Sequence, residues 1–299
     1  MTTYNNCTLC PRECSVDRSK STGYCMQSDK IKIARAALHK WEEPCICTGE
    51  GCGAVFFSGC TLRCCYCQNY EISHENKGFY ITERELADIF LKLRDEGACC
   101  IDLVSPTPFV PSIIFALDLV KSKLGIPIVY NCGGYESQQT LDMLSGYIDI
   151  YLPDLKYFSS EYSAKYSGCK DYFEHAMPAI VKMQKQVGKP AYDENGQMIK
   201  GVIVRHLALP TLRHDSANVL KALRDNFEPD DIVLSLMSQY VPVYKALEHR
   251  EINRKISTFE YNYLLDTACN LGFEGYSQQR DASSEAYIPK FYDDKDGIK

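Results

Sequence analysis

Three thiols stand at Cys60, Cys64 and Cys67, separated by three and two residues. Cysteine thiolates are the usual protein ligands of iron–sulfur clusters. Three protein ligands leave one iron of a [4Fe–4S] cubane open to a further ligand, much as a catalytic zinc keeps a position free for substrate. The competing reading is a structural zinc that borrows a fourth thiol, with Cys65 the nearest to hand. Position favours the cluster. The thiols follow directly on Ala54-Val55-Phe56-Phe57, an apolar run bounded by glycine that reads as a buried strand. A structural metal has no reason to sit where an α/β sheet binds its ligands.

A second set, Cys7-x2-Cys10-x3-Cys14-x10-Cys25, supplies four thiolates, enough to complete a tetrahedral zinc or to saturate a second cluster. Its short loops contain proline and glycine and need a ligand to be stable, so this metal is expected to be structural. Cys45, Cys47 and Cys52 form a looser group before the first strand, either lending a ligand to one of these sites or unligated. Cys99, Cys100, Cys132, Cys169 and Cys269 lie in apolar segments and read as small core residues.

Sixteen cysteines in 299 residues, eleven of them before residue 68, are many for a chain with no secretory pattern in its first residues. That combination points to metal ligation in a reducing, cytoplasmic compartment rather than to disulfides. A formal charge of −6 argues against nucleic-acid or anionic-membrane partners. No stretch reaches the ~18 apolar residues of a membrane span.

The elements that must position these thiols alternate. Residues 1–52 are a cysteine-rich, metal-binding extension with a single expected helix near Ile31–Lys40. The core, residues 53–299, then reads as strands at 54–57, 99–104, 126–131, 148–152, 201–209 and 232–237, separated by helices. Thr82 followed by Glu83 and Glu85 is an N-cap with an acidic first turn, and Leu86, Ile89, Phe90 and Leu93 recur at helical spacing up to Gly97. Further helices are expected at 111–124, 137–144, 161–166, 172–186 and 215–226, with a final one at 258–271. Six near-continuous apolar strands alternating with helices predict an α/β fold with a parallel sheet covered on both faces. Whether that sheet is open or curled, ligands gather at the C-terminal ends of its strands. Ser105-Pro106-Thr107, Asn131-Cys132-Gly133-Gly134, Asp154-Leu155-Lys156 and His206 all fall there.

Cys-x3-Cys-x2-Cys with an aromatic residue, Tyr66, before the last cysteine is the signature of the radical S-adenosylmethionine (SAM) superfamily. The wider string Phe57-Ser58-Gly59-Cys60-Thr61-Leu62-Arg63-Cys64-Cys65-Tyr66-Cys67-Gln68-Asn69 resembles its pyruvate formate-lyase-activating-enzyme branch. So do Trp41-Glu42-Glu43-Pro44-Cys45, Asp149 through Tyr157, Val204-Arg205-His206-Leu207 and Ser235 through Tyr240. The resemblance implies a partial (β/α)6 barrel of TIM type. It also implies a [4Fe–4S] cluster whose open iron is chelated by SAM, and reductive cleavage of that cofactor to a 5′-deoxyadenosyl radical that abstracts hydrogen. A flavodoxin or ferredoxin would supply the electron.

Carried over position by position, the resemblance places Tyr66, Ser105, Thr107, Asn131, Asp154 and Lys156 at the cofactor. It gives Lys156 a further role near the reacting centre. Activases carry an Asp-x-Lys element where Asp154-Leu155-Lys156 stands, near the peptide to be activated. The family's usual Gly-Gly-Glu-Pro is replaced here by Val104-Ser105-Pro106-Thr107-Pro108, so the amino contact falls to Ser105 and Thr107. His206 reads as a packed, hydrogen-bonded residue rather than a base. The substrate is either a protein glycine, as in the activases, or a small molecule or other peptide. A non-enzymatic electron-transfer module is the reading of a different class, for which a barrel of this size is excessive.

Overall fold

The computed structural model describes residues 4–273, 275–277 and 289–298. Residues 1–3, part of the stretch inspected for a leader, lie outside them. The strands are β1 (Ile31–His39), β2 (Cys52–Phe57), β3 (Phe79–Ile81), β4 (Ile101–Val104), β5 (Ile128–Cys132), β6 (Ile150–Pro153), β7 (Ala191–Tyr192), β8 (Met198–Leu207), β9 (Val233–Met237) and β10 (Gly275–Ser277). The helices are α1 (Tyr70–Ser73), α2 (Glu83–Asp95), α3 (Val110–Leu124), α4 (Gln138–Leu144), α5 (Ser160–Ser167), α6 (Tyr172–Val187), α7 (Arg213–Asn226) and α8 (Thr258–Asn270).

Strands β2, β4, β5, β6, β8 and β9 pair in parallel and in chain order. These are the six strands expected from the sequence, and the fold is the mixed α/β, partial TIM-type barrel. Local chemistry sets the helix ends where the sequence placed them. Thr82 and Glu85 form a complete capping box at the start of α2, whose Leu86, Ile89, Phe90 and Leu93 are buried. Gly125, in the left-handed region at φ 68°, terminates α3.

The helix expected near Ile31–Lys40 is instead β1. It pairs antiparallel with β2 from Ile33 to His39 and with β3 from Ile31 to Ile33. Intrinsic helix propensity is a weak prior against a whole strand of ladder hydrogen bonds and buried Ile31, Ile33 and Ala36. The cysteine-rich extension is thus sewn to the core by the sheet itself.

Alternation along the parallel strands sorts two sets of side chains. Tyr130, Tyr151, Val202 and Val204 join the large core under the helices. Val129, Ile150, Ile203 and Val233 face the other way and pack together with Cys45, Ile46, Cys52 and Cys100. Segment 41–47, between β1 and β2, therefore fills the inner face of the barrel. Glu42 and Glu43 reach Arg205 and Ser235 on β8 and β9, and Ile46 is fully buried. A barrel interior is a packed core rather than a pore, and here a connecting segment supplies much of the packing.

Candidate active site

The loop after β2 carries Cys60, Cys64 and Cys67, with Cys64 and Cys67 lining a cavity of about 380 Å3 at the C-terminal rim of the barrel. Each thiol meets a hydrogen-bond donor. The Leu62 N–H lies 3.4 Å from the Cys60 Sγ, the Ser167 hydroxyl 3.0 Å from Cys64 and the Ser73 hydroxyl 3.2 Å from Cys67. Tyr66 is buried beside them. Its hydroxyl lies 2.6 Å from that of Tyr157, which in turn lies 2.9 Å from Ser167, so a chain of hydroxyls braces Cys64. Burial pushes the Cys60 thiol up to about 12 and that of Cys67 to about 11, and the Lys156 ammonium works against both shifts.

This donor set fits an iron–sulfur cubane better than zinc. Tetrahedral zinc with Zn–S bonds of about 2.3 Å draws its sulfurs to about 3.8 Å of one another. Among the described residues, the group of three or more ligand atoms that lie within 4.8 Å of one another does not include Cys60, Cys64 and Cys67. Nor does Cys65 join them to make up a zinc set. The wider spacing, with a donor at each sulfur, suits ligands at separate corners of a cluster.

Facing the thiols is a buried charge network that no single motif announces. Arg205 on β8 donates from Nε to Asp154 at 2.9 Å, from Nη1 to Glu42 at 3.0 Å and from Nη2 to Asn131 at 2.6 Å. Lys156 donates to the other Asp154 oxygen at 2.5 Å. Burial alone would raise the Asp154 carboxyl, yet Arg205 and Lys156 outweigh it and hold the group below its ordinary value. Asp102 on β4 goes the other way, pushed well up by burial with Glu42 adding. It accepts from the Asn131 amide at 3.4 Å. Arg205, Asp154, Lys156 and Asn131 all line the cavity, and Trp41, 67% exposed, stands at its mouth.

Of the residues placed at the cofactor by resemblance, Tyr66, Asn131, Asp154 and Lys156 line this cavity. Ser105 and Thr107 do not. The Thr107 hydroxyl is buried, donating to Glu136 at 2.8 Å beneath Tyr130, and so is committed to the core. Ser105 turns the chain after β4 in the left-handed region, φ 57°. A non-glycine residue held there costs about 1–3 kcal/mol and is tolerated where the site demands it. Arg205 and Glu42 carry the network, and their signal in the sequence was only their presence in segments 41–45 and 204–207. His206 is buried and neutral, its value pushed down to about 4 by burial, with Nδ1–H donating to the Leu155 carbonyl at 2.6 Å.

Gly134 has a steric task rather than a ligand-binding one. At φ 79° a Cβ would overlap the Asp154 carbonyl oxygen and crowd the Tyr172 hydroxyl, which donates to that same carbonyl at 2.8 Å. Gly134→Ala is expected to lower stability by about 1–3 kcal/mol. It should also weaken SAM binding by displacing Asp154, which equilibrium dialysis on the folded variant would detect.

The N-terminal thiols gather beside this loop. The Cys14 and Cys25 sulfurs flank Gly23, the Tyr24 N–H donates to Cys14 at 3.2 Å, and the buried Arg18 guanidinium lies 3.9 Å from the Cys7 Sγ. Cys10 feels Cys25 and Cys14, and Cys25 feels Cys7 and Cys14. As with the rim thiols, no three of these four fall within 4.8 Å of one another. Arg12 donates to the Thr61 and Gly168 carbonyls at 3.0 and 2.9 Å, and Arg63 donates to that of Tyr24 at 3.0 Å, docking the extension on the Cys60–Cys67 loop.

A six-stranded partial barrel with a three-thiol loop after its first parallel strand and a charged cavity at its rim defines a class of radical-forming enzyme. A family model for the radical SAM superfamily matches residues 54–191. Over 275 residues the chain is 30% identical to the uncharacterized protein MJ0674 of Methanocaldococcus jannaschii, covering 89% of this chain and 75% of that one. The chain belongs to the radical SAM superfamily, whose cofactors are a [4Fe–4S] cluster and SAM. Among solved structures it is similar in fold to SuiB of Streptococcus suis, with a TM-score of 0.52 at 12% identity over 74% of this chain and 47% of that one. SuiB bound to S-adenosylmethionine gives 0.50, again at 12% identity, over 74% of this chain and 48% of that one. The chain spans about half the length of these structures. No described helix is long and apolar enough to cross a membrane.

Proposed function

We propose that this chain abstracts hydrogen from a polypeptide, at a backbone glycine, in the manner of the glycyl-radical activases. The observation that carries the reading is the Asp154–Lys156 pair at the end of β6, held by Arg205 and lining one cavity with Cys64 and Cys67. In the activases an Asp-x-Lys element lies near the cofactor and the peptide. Cys60, Cys64 and Cys67 would hold the [4Fe–4S] cluster, leaving one iron for SAM. When bound, the cluster supplies the electron that splits the sulfonium C–S bond of SAM to methionine and a 5′-deoxyadenosyl radical.

The chain's own residues orient and exclude water. Lys156 places a cation beside the three thiolates, and the Asp154–Arg205–Glu42 network presents fixed charge that needs no reorganisation. Tyr66 and Tyr157 seal the loop from behind. Exposed Trp41, with Gln68, Asn69 and Gln239, forms a polar and aromatic mouth that suits an extended chain. A flavodoxin or ferredoxin is the electron donor this reading requires. The N-terminal thiols, no three of them within 4.8 Å of one another, are assigned a second iron–sulfur cluster.

The test uses reconstituted protein with dithionite and SAM, offered either a protein fraction or a small-molecule fraction from cells grown on α-deuterated glycine. Deuterium should enter 5′-deoxyadenosine from the protein fraction. Transfer from the small-molecule fraction alone would assign a metabolite substrate instead.

A further inference from the structure

At the opposite end of the barrel from the cavity, four more cysteines converge. Cys52 opens β2, and Cys100 immediately precedes β4, so the parallel pairing of Gly53 with Ile101 sets these two side by side. Cys99 occupies the bend before β4, which lets consecutive cysteines face the same way, as a strand would not. The sulfurs of Cys52, Cys99 and Cys100 all lie within 4.8 Å of one another, alone among the described residues in making such a group of three. Cys47, outside that group of three, places a fourth sulfur within hydrogen-bonding reach of Cys52, with its thiol donating to the His39 carbonyl at 3.2 Å.

Three of these sulfurs crowd one acceptor. Cys99, Cys52 and Cys100 lie 3.1, 3.2 and 3.3 Å from one acceptor, the Ile46 carbonyl oxygen. A carbonyl has two lone pairs, so three S–H donors cannot all be satisfied there. One disulfide would use two of the four sulfurs and leave the crowding of the others. A divalent cation shared among the sulfurs would account for their convergence. The grouping of Cys52, Cys99 and Cys100 within 4.8 Å is compatible with zinc, whose sulfur ligands stand about 3.8 Å apart.

We propose that Cys47, Cys52, Cys99 and Cys100 bind a structural zinc ion at the N-terminal end of the barrel. Two features beyond the sulfurs fit such a site. Thr48 lies against the Cys99 sulfur, and the Cys52 N–H against that of Cys47, as outer hydrogen bonds that orient thiolate ligands. Cys52 and Cys100 are fully buried while Cys47 and Cys99 are partly exposed, which gives the ion a way in. The ion would tie the 47–52 loop to the start of β4. Gln197 continues the tie to β8 by donating to the Cys99 carbonyl at 2.7 Å. Segment 41–46, which fills the barrel and carries Glu42 to Arg205, would be pinned from below.

The experiment is elemental analysis of full-length, anaerobically purified protein after dialysis against EDTA. Wild type and a variant with Cys7, Cys10, Cys14 and Cys25 all changed to Ser should each keep about one zinc per chain. Cys52→Ser/Cys99→Ser should lose the zinc and retain the iron of the rim cluster. Cys47→Ser, altered at a partly exposed ligand, should keep the fold and release zinc to a chromogenic chelator faster than wild type. Exposed Cys269→Ser should behave as wild type. If the double variant does not fold, cobalt added to zinc-depleted wild type decides the matter, since the site requires the absorption of tetrahedral thiolate-bound cobalt, weakened in Cys47→Ser. Zinc that disappears with the N-terminal cysteines, iron that disappears with Cys52 and Cys99, or a disulfide among the four in the anaerobic protein would each overturn the proposal.

Discussion

Cys64→Ala is expected to reduce 5′-deoxyadenosine formation to the level of a control without enzyme, while Cys65→Ala retains it. Cys64 lines the cavity, accepts a hydrogen bond from Ser167 and has Lys156 close enough to favour its thiolate. A cubane held by two ligands is neither stable nor oriented for SAM. Cys65, one residue on, is also buried, and its thiol is pushed up to about 12 by that burial. Its N–H donates to the Tyr166 carbonyl at 2.7 Å, and its sulfur does not line the cavity. Anaerobic reconstitution with iron and sulfide analysis, followed by chromatography of the reductive cleavage products, checks both variants. Equal loss in the two would mean that the ligand assignment is wrong.

Arg205→Ala is expected to destabilise the protein by about 3–5 kcal/mol, the cost of removing one partner from a buried ion pair. Arg205 and its partners Asp154 and Glu42 are only 13–16% exposed, and the loss of the guanidinium leaves two carboxylates and the Asn131 amide facing one another. Glu42 is tethered through Glu43 and Ile46 to the barrel interior, so the damage reaches the packing as well as the cavity. Arg205→Lys keeps the charge but cannot make three directed contacts from one plane. It should recover part of the stability and little of the SAM affinity. Urea unfolding of the anaerobic protein gives the first quantity and equilibrium dialysis the second. A loss below about 1 kcal/mol in Arg205→Ala would place the network in the class of exposed pairs.

The amino-acid sequence by itself determined the six parallel strands, most of the helix ends and the three rim thiols. These are local matters. A capping box at Thr82 and Glu85, a left-handed glycine at 125 and apolar runs between turn residues act over a few residues, and so can be read from them. Cys60, Cys64 and Cys67 sit on one loop, and their spacing is itself the signal.

What tertiary structure decided was long-range. Segment 31–39 has helical composition, yet β2 and β3 offered it ladder hydrogen bonds that composition cannot foresee. Arg205, Asp154, Glu42 and Asn131 come from four separate stretches, and only the curling of the sheet turns them inward onto one point. Ser105 and Thr107 stood at the right place in the chain, but the Thr107 side chain is claimed by Glu136 and Tyr130. The thiols at 47, 52, 99 and 100 follow no spacing rule at all. They meet because β2 and β4 are neighbours in the sheet, a contact between residues about fifty positions apart that no local pattern encodes.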